Sequence, residues 1–147
     1  MKPIAILFSF LCTTAGAAQW LTPPADGVVS SGDIDALLAK HPLGANENIK
    51  VVPLAKSEHS AQLLVQVRDR EPLHYHADSD ITVFLVRGQG TLKLEKRAHP
   101  VKAGDVLHIP RGAIHAYINK GPAIGVAIVS YSPAPGPDDR VLIKEPK

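Results

Sequence analysis

From Ile49 onward the chain breaks into short apolar runs closed by turn-forming residues, and no segment after Gly44 keeps a helical period. The runs are Ile49 to Leu54, Gln62 to Arg68, Ile81 to Arg87, Thr91 to Lys96, Val106 to Ile109, Ala113 to Ile118, Ile124 to Tyr131 and Arg140 to Ile143. Each is rich in Val, Ile or Leu and of single-strand length. Regularly spaced strands with no helices between them predict a sandwich or small barrel. Arg87-Gly88-Gln89-Gly90 reads as a tight hairpin turn, because glycine accepts a positive φ at little cost. One short helix, Asp33 to Lys40, precedes the strands. Ser31 is placed to cap it, Ile34, Leu37 and Leu38 form its apolar stripe, and Pro42 and Gly44 stop it. Pro133 to Asp139 reads as a loop before one last short strand.

The first residues have a different character. Lys2 gives a positive start, Ile4 to Leu11 is apolar, and Ala15-Gly16-Ala17-Ala18 offers small residues for cleavage. That is the layout of a signal peptide, and the apolar run is too short for a permanent membrane span. The expected organisation is therefore a signal peptide at 1–18, an N-terminal extension with the helix at 19–47, and a barrel domain at 48–147. A periplasmic or secreted location follows. Cys12 is the only cysteine and would leave with the leader, so neither a disulfide nor a thiol nucleophile is expected. The formal net charge is +2, and no basic cluster is longer than Lys96-Arg97, which argues against a nucleic-acid footprint. With no second long apolar segment, no membrane partner is expected.

Chemistry concentrates in two segments about thirty residues apart. His74 and His76 alternate along a strand and so share a face. His115 follows the Pro110-Arg111-Gly112 turn, which can swing a neighbouring strand back toward them. A His-x-His pair alone more often faces solvent than a metal ion, but a third histidine in a matching frame changes the balance. Three imidazoles suit a divalent transition metal such as Fe, Mn, Ni, Cu or Zn. Tyr75 alternates with the pair and should face away. His108 reads as a partly buried strand histidine, and His41, His59 and His99 as solvated. Arg111 could meet an anion near the barrel mouth, though a surface role is its default. Gln62, Gln66 and Arg68 share a face opposite Leu63, Val65 and Val67; either face can be the interior.

These segments resemble the two motifs of the cupin family. The second motif is complete in Gly104, Pro110, Gly112, His115 and Asn119. The first is matched by His74, His76 and Gly88, while Arg68 stands in place of its leading Gly and Ile81 in place of its metal-binding Glu. The resemblance covers about residues 48 to 131. It implies an all-β, cupin-type antiparallel β-barrel (a double-stranded β-helix, or jelly roll) with one short N-terminal helix. It also implies a metal centre of His74, His76 and His115, with Asp80 a fourth ligand only if a bulge turns it inward. Without that carboxylate the site resembles three-histidine cupin dioxygenases, which implies oxygen-dependent chemistry on a small, anionic, bidentate substrate. The alternative is a non-catalytic cupin carrying or sensing a small ligand or metal. No general base accompanies the histidines in this reading, because Glu58 and Glu71 fall outside the strands assigned to the pocket. Cupin barrels commonly dimerise, which leaves a homodimer open.

Overall fold

The computed structural model describes residues 19–22 and 30–144, so the expected signal peptide lies outside the described residues. A two-stranded ribbon, β1 (Gln19–Thr22) with β2 (Ser30–Asp33), leads into helix α1 (Ile34–Lys40). The N-cap is Asp33, not Ser31. Asp33 has extended backbone and its carboxylate accepts from Asp35 N, while Ser31 is already inside β2.

The remaining strands form two five-stranded antiparallel sheets. One runs β3 (Ile49–Lys56), β4 (Ala61–Val67), β11 (Gly125–Ser132), β6 (Asp80–Arg87), β9 (Val106–Ile109). The other runs β12 (Arg140–Leu142), β5 (His74–His76), β10 (His115–Asn119), β7 (Gln89–Leu94), β8 (Arg97–Lys102). The chain adopts the all-β architecture expected from the strand pattern and the cupin-type fold that the motif resemblance implies. Between the sheets, alternate residues of the first one converge: Val65, Val67, Ile81, Leu85, Ile109 and Val129 are buried together. On that sheet's outer side Val52, Leu64 and Val126 are covered by Leu37 and Leu38 of α1. Leu64 is fully buried, a contribution of about 1.5–3 kcal/mol for a side chain of its size.

This arrangement settles the orientation of β4. Leu63, Val65 and Val67 face the interior, and the Gln62–Gln66 face is the outer one. Gln66 is nevertheless buried, because the chain leaving α1 crosses it and His41 O accepts from its Nε2. Arg68 donates to Glu47 O and Gly44 O and so fastens the segment before β3.

Two local expectations are corrected. Arg87 to Gly90 is not a hairpin: β6 and β7 belong to different sheets, and Gly88, at φ +88°, carries the chain from one to the other. The true hairpin is β7–β8, where Leu94 pairs with Arg97. Strand β8 is absent from the apolar runs because its sequence is polar and contains Pro100. As an edge strand it buries only Val101 and tolerates proline. Among the described residues no helix is long and apolar enough to cross a membrane.

Candidate metal centre and cavity

Strand alternation turns both His74 and His76 inward from β5, and the antiparallel register sets His115 of β10 directly opposite His74. The ring centroids lie 4.3 Å (His74–His115), 5.3 Å (His74–His76) and 5.5 Å (His76–His115) apart. All three side chains are buried, and one nitrogen from each lies within 4.8 Å of the others. The Nδ1 atoms are already engaged. His74 Nδ1 lies 2.8 Å from Pro72 O and His115 Nδ1 2.9 Å from Ala113 O. A carbonyl only accepts, so both rings carry their proton on Nδ1. His76 Nδ1 meets the Asp139 carboxylate at 2.7 Å. Each ring therefore keeps Nε2 as its bare nitrogen. Burial holds all three neutral: it pushes the pKa of His74 down to about 3, and lowers those of His76 and His115.

Asp139 is the residue the sequence concealed. It sits at the end of the tail loop, is buried, and accepts three hydrogen bonds. Its Oδ2 takes His76 Nδ1, and its Oδ1 takes Asp78 N at 2.8 Å and Ser79 N at 3.0 Å. Burial alone would raise its pKa, but the amide of Asp78 and the His76 ring outweigh it and keep the carboxylate ionised.

Asp80 does not join the cluster. Its Oδ1 accepts from Arg111 N at 2.9 Å and faces the Arg111 guanidinium at 3.5 Å. No bulge interrupts β6 at this point; Ile81 is the residue that faces inward, so the adjacent Asp80 faces out. Arg111 is exposed and spent on Asp80. His108 is exposed rather than partly buried, opposite Thr82 on the outer face of β9.

The histidines open onto a cavity of about 450 Å³ between the sheets. Glu71, expected outside the pocket, lines it. Glu71 N donates to Tyr117 O at 2.8 Å as a strand partner would, but it is the Glu71 carboxylate, not a backbone carbonyl, that accepts from Tyr117 N at 3.2 Å. Burial raises its pKa. Tyr131 packs edge-on against His76 at 5.0 Å, and burial pushes its phenol up to about 12. Arg140, paired with His76 across β12 and β5, adds a cation to the same wall. Tyr117 lies in a slot without room for a side chain at its walls. A Cβ at Gly90 would meet the ring at 2.6 Å and one at Gly125 at 2.8 Å.

Comparison with known proteins agrees with this architecture. A cupin-domain family model matches residues 62–131. The chain belongs to the cupin family. An uncharacterized protein from Aquifex aeolicus is 35% identical over 112 residues, covering 76% of this cupin and 91% of the relative. A Klebsiella pneumoniae protein with a double-stranded β-helix domain superposes with a TM-score of 0.63 at 16% identity, over 74% of this chain and 95% of that one. A Streptomyces PAC13 variant with uridine superposes at 0.60 and 19% identity, over 68% and 82%.

Within this cupin the second motif has clear mechanical roles. Gly104 and Gly112 take positive φ at the turns flanking β9. Asn119 donates from Nδ2 to Arg68 O and Ala123 O, tying the end of β10 to both neighbouring loops. Of the proposed ligands, His74, His76 and His115 are brought together and fit a transition-metal ion: they are neutral, inward, and held in the tautomer that leaves Nε2 free.

Proposed function

We propose that this cupin is exported, binds one divalent transition-metal ion through His74, His76 and His115, and acts on a small molecule held in the cavity. The observation that carries the reading is the anchoring of all three Nδ1 atoms, which fixes ring orientation and tautomer before any ligand arrives. A bound ion would supply Lewis acidity and hold ligand oxygens. Arg140 favours an anionic ligand, and Tyr131, kept protonated, is a hydrogen-bond donor beside His76. Oxygen-dependent oxidation is one use of such a centre. A redox-neutral proton transfer is the second reading. It is favoured by Glu71, a carboxyl with a raised pKa on the cavity wall that can take or give a proton.

Metal analysis of the purified mature protein tests the central claim. One equivalent per chain is expected, and failure to take up Fe, Mn, Ni, Cu or Zn would overturn it. Oxygen consumption by the loaded protein with a turned-over substrate separates the two chemistries. Export is tested by intact mass from the native host: a chain still bearing residues 1–17 would refute it.

A further inference from the structure

The cavity has two unlike walls, and the division follows the sheets. Apart from Gly125, the first sheet (β3, β4, β11, β6, β9) sends only Ile, Val, Leu and Ala inward until Tyr131 at the end of β11. The charged and hydrogen-bonding groups come from the other side, whose β7 and β8 add only Leu92 and Val101: His74 and His76 on β5, His115 and Tyr117 on β10, Arg140 on β12 with Asp139 just before it, and Glu71 just before β5. A ligand whose oxygens reach the histidines must lay the rest of its body against a surface with no donor or acceptor to offer.

Resting on the metal-centre reading above, we infer that the substrate is a compact, apolar-bodied molecule whose oxygen functions are confined to one edge, and that the β3-β4-β11-β6-β9 wall selects against polyhydroxylated ligands. The discrimination is physical. An apolar body gains by leaving water, whereas a hydroxyl buried on this wall loses its water and finds no partner. An apolar pocket rejects a single added hydroxyl only modestly, by about 100-fold, so the discrimination here comes from several hydroxyls that would have to be buried on the wall together. Val51, half exposed and yet lining the cavity, marks an apolar mouth as well. The polar edge of the ligand then lies within reach of Glu71 and Arg140.

The test uses three ligands with one chelating head and different bodies: acetohydroxamate, benzohydroxamate and gluconohydroxamate. They are titrated into the Co(II)-loaded mature protein and followed by the visible absorption of the metal. Benzohydroxamate should bind at least about tenfold more tightly than acetohydroxamate, and gluconohydroxamate no more tightly than acetohydroxamate. Val65→Thr and Val129→Thr each add a hydroxyl to the wall at constant shape and should narrow the benzo-to-aceto ratio several-fold. Gluconohydroxamate binding as tightly as benzohydroxamate would overturn the inference while leaving the metal centre intact. So would an unchanged ratio in both folded variants. If Co(II) does not bind at all, the metal-centre reading fails. Calorimetry of the same three ligands with the metal-free protein then decides the wall by itself, an apolar preference supporting the inference and its absence overturning it.

Discussion

Replacing Asp139 by Asn should disable His76 as a ligand while leaving the fold nearly intact. The substitution is isosteric, and the remaining amide oxygen can still accept from Asp78 N and Ser79 N, so the tail loop keeps its anchor. The amide nitrogen, however, now points a donor at His76 Nδ1, where a carboxylate oxygen stood at 2.7 Å. Two donors cannot face each other at that distance. The ring relieves the conflict by carrying its proton on Nε2, and the lone pair that faced the cluster is lost. A metal must then displace that proton and accept a ligand whose orientation is no longer reinforced by charge. The expected penalty is the roughly 10–100-fold in affinity typical of removing such a partner, or about 1.4–2.8 kcal/mol. In the metal-free protein the loss of one charge-assisted hydrogen bond should cost about 1.5–3 kcal/mol at most. Calorimetric Zn(II) titration measures the first effect, denaturant unfolding the second, and ring ¹⁵N shifts report the tautomer. Unchanged affinity together with a His76 still protonated on Nδ1 would refute the argument. Asp139→Ala is the contrasting case. It leaves the backbone amides of Asp78 and buried Ser79 without their acceptor as well, and should destabilise the protein more than it alters the metal chemistry.

Further outcomes follow from the same geometry. His74→Ala, His76→Ala and His115→Ala should each cut metal affinity by more than Asp139→Asn does, whereas Asp80→Ala should leave it within a few-fold, as read by metal content after dialysis; equal collapse in Asp80→Ala would show the carboxylate to be a ligand. Because burial holds the histidines neutral, their folded pKa values lie below the unfolded value near 6.5. Below that pH the unfolded chain binds protons that the folded one refuses, so stability present above 6.5 is lost progressively on acidification. For His74 alone the loss between pH 6.5 and 5 is about 2 kcal/mol, and His74→Gln should flatten that slope in a pH series of denaturant melts. Gly125→Ala forces a methyl group into the Tyr117 ring and should destabilise by about 1–3 kcal/mol; an unchanged melting temperature would contradict the packing described.

The fold was legible because its signal is local. Period-two alternation of Val, Ile and Leu, punctuated by Gly and Pro, states where strands begin and end whatever they pair with. What it does not state is the partner, and so Gly88 reads as a hairpin when it joins two sheets, and polar β8 leaves no apolar run to read. The three histidines were legible for the same reason, since alternation places His74 and His76 and a motif of fixed spacing places His115. The residues around them were not. Asp139 lies 63 residues from His76, and its role appears only when β12 pairs with β5. Glu71 looked peripheral because it precedes the strand; its carboxylate lines the cavity while accepting from Tyr117 N, where a strand carbonyl would otherwise stand. Asp80 was a question of which face, and the regular β6 register answers it.

Strand β5 is three residues long and meets β10 in register at the single pair His74–His115, while its other edge meets β12 at three positions. Two of the three histidines thus ride on a strand whose main neighbour is the tail. Any opening that frees Arg140 to Leu142 also loosens Asp139 and the two rings, so the centre and the C-terminal strand form one cooperative unit. Occupancy of the centre should then be readable far from it. Slower hydrogen exchange at the amides of β5 and β12, with little change in the β7–β8 hairpin, is the signature of a site that locks its own tail in place.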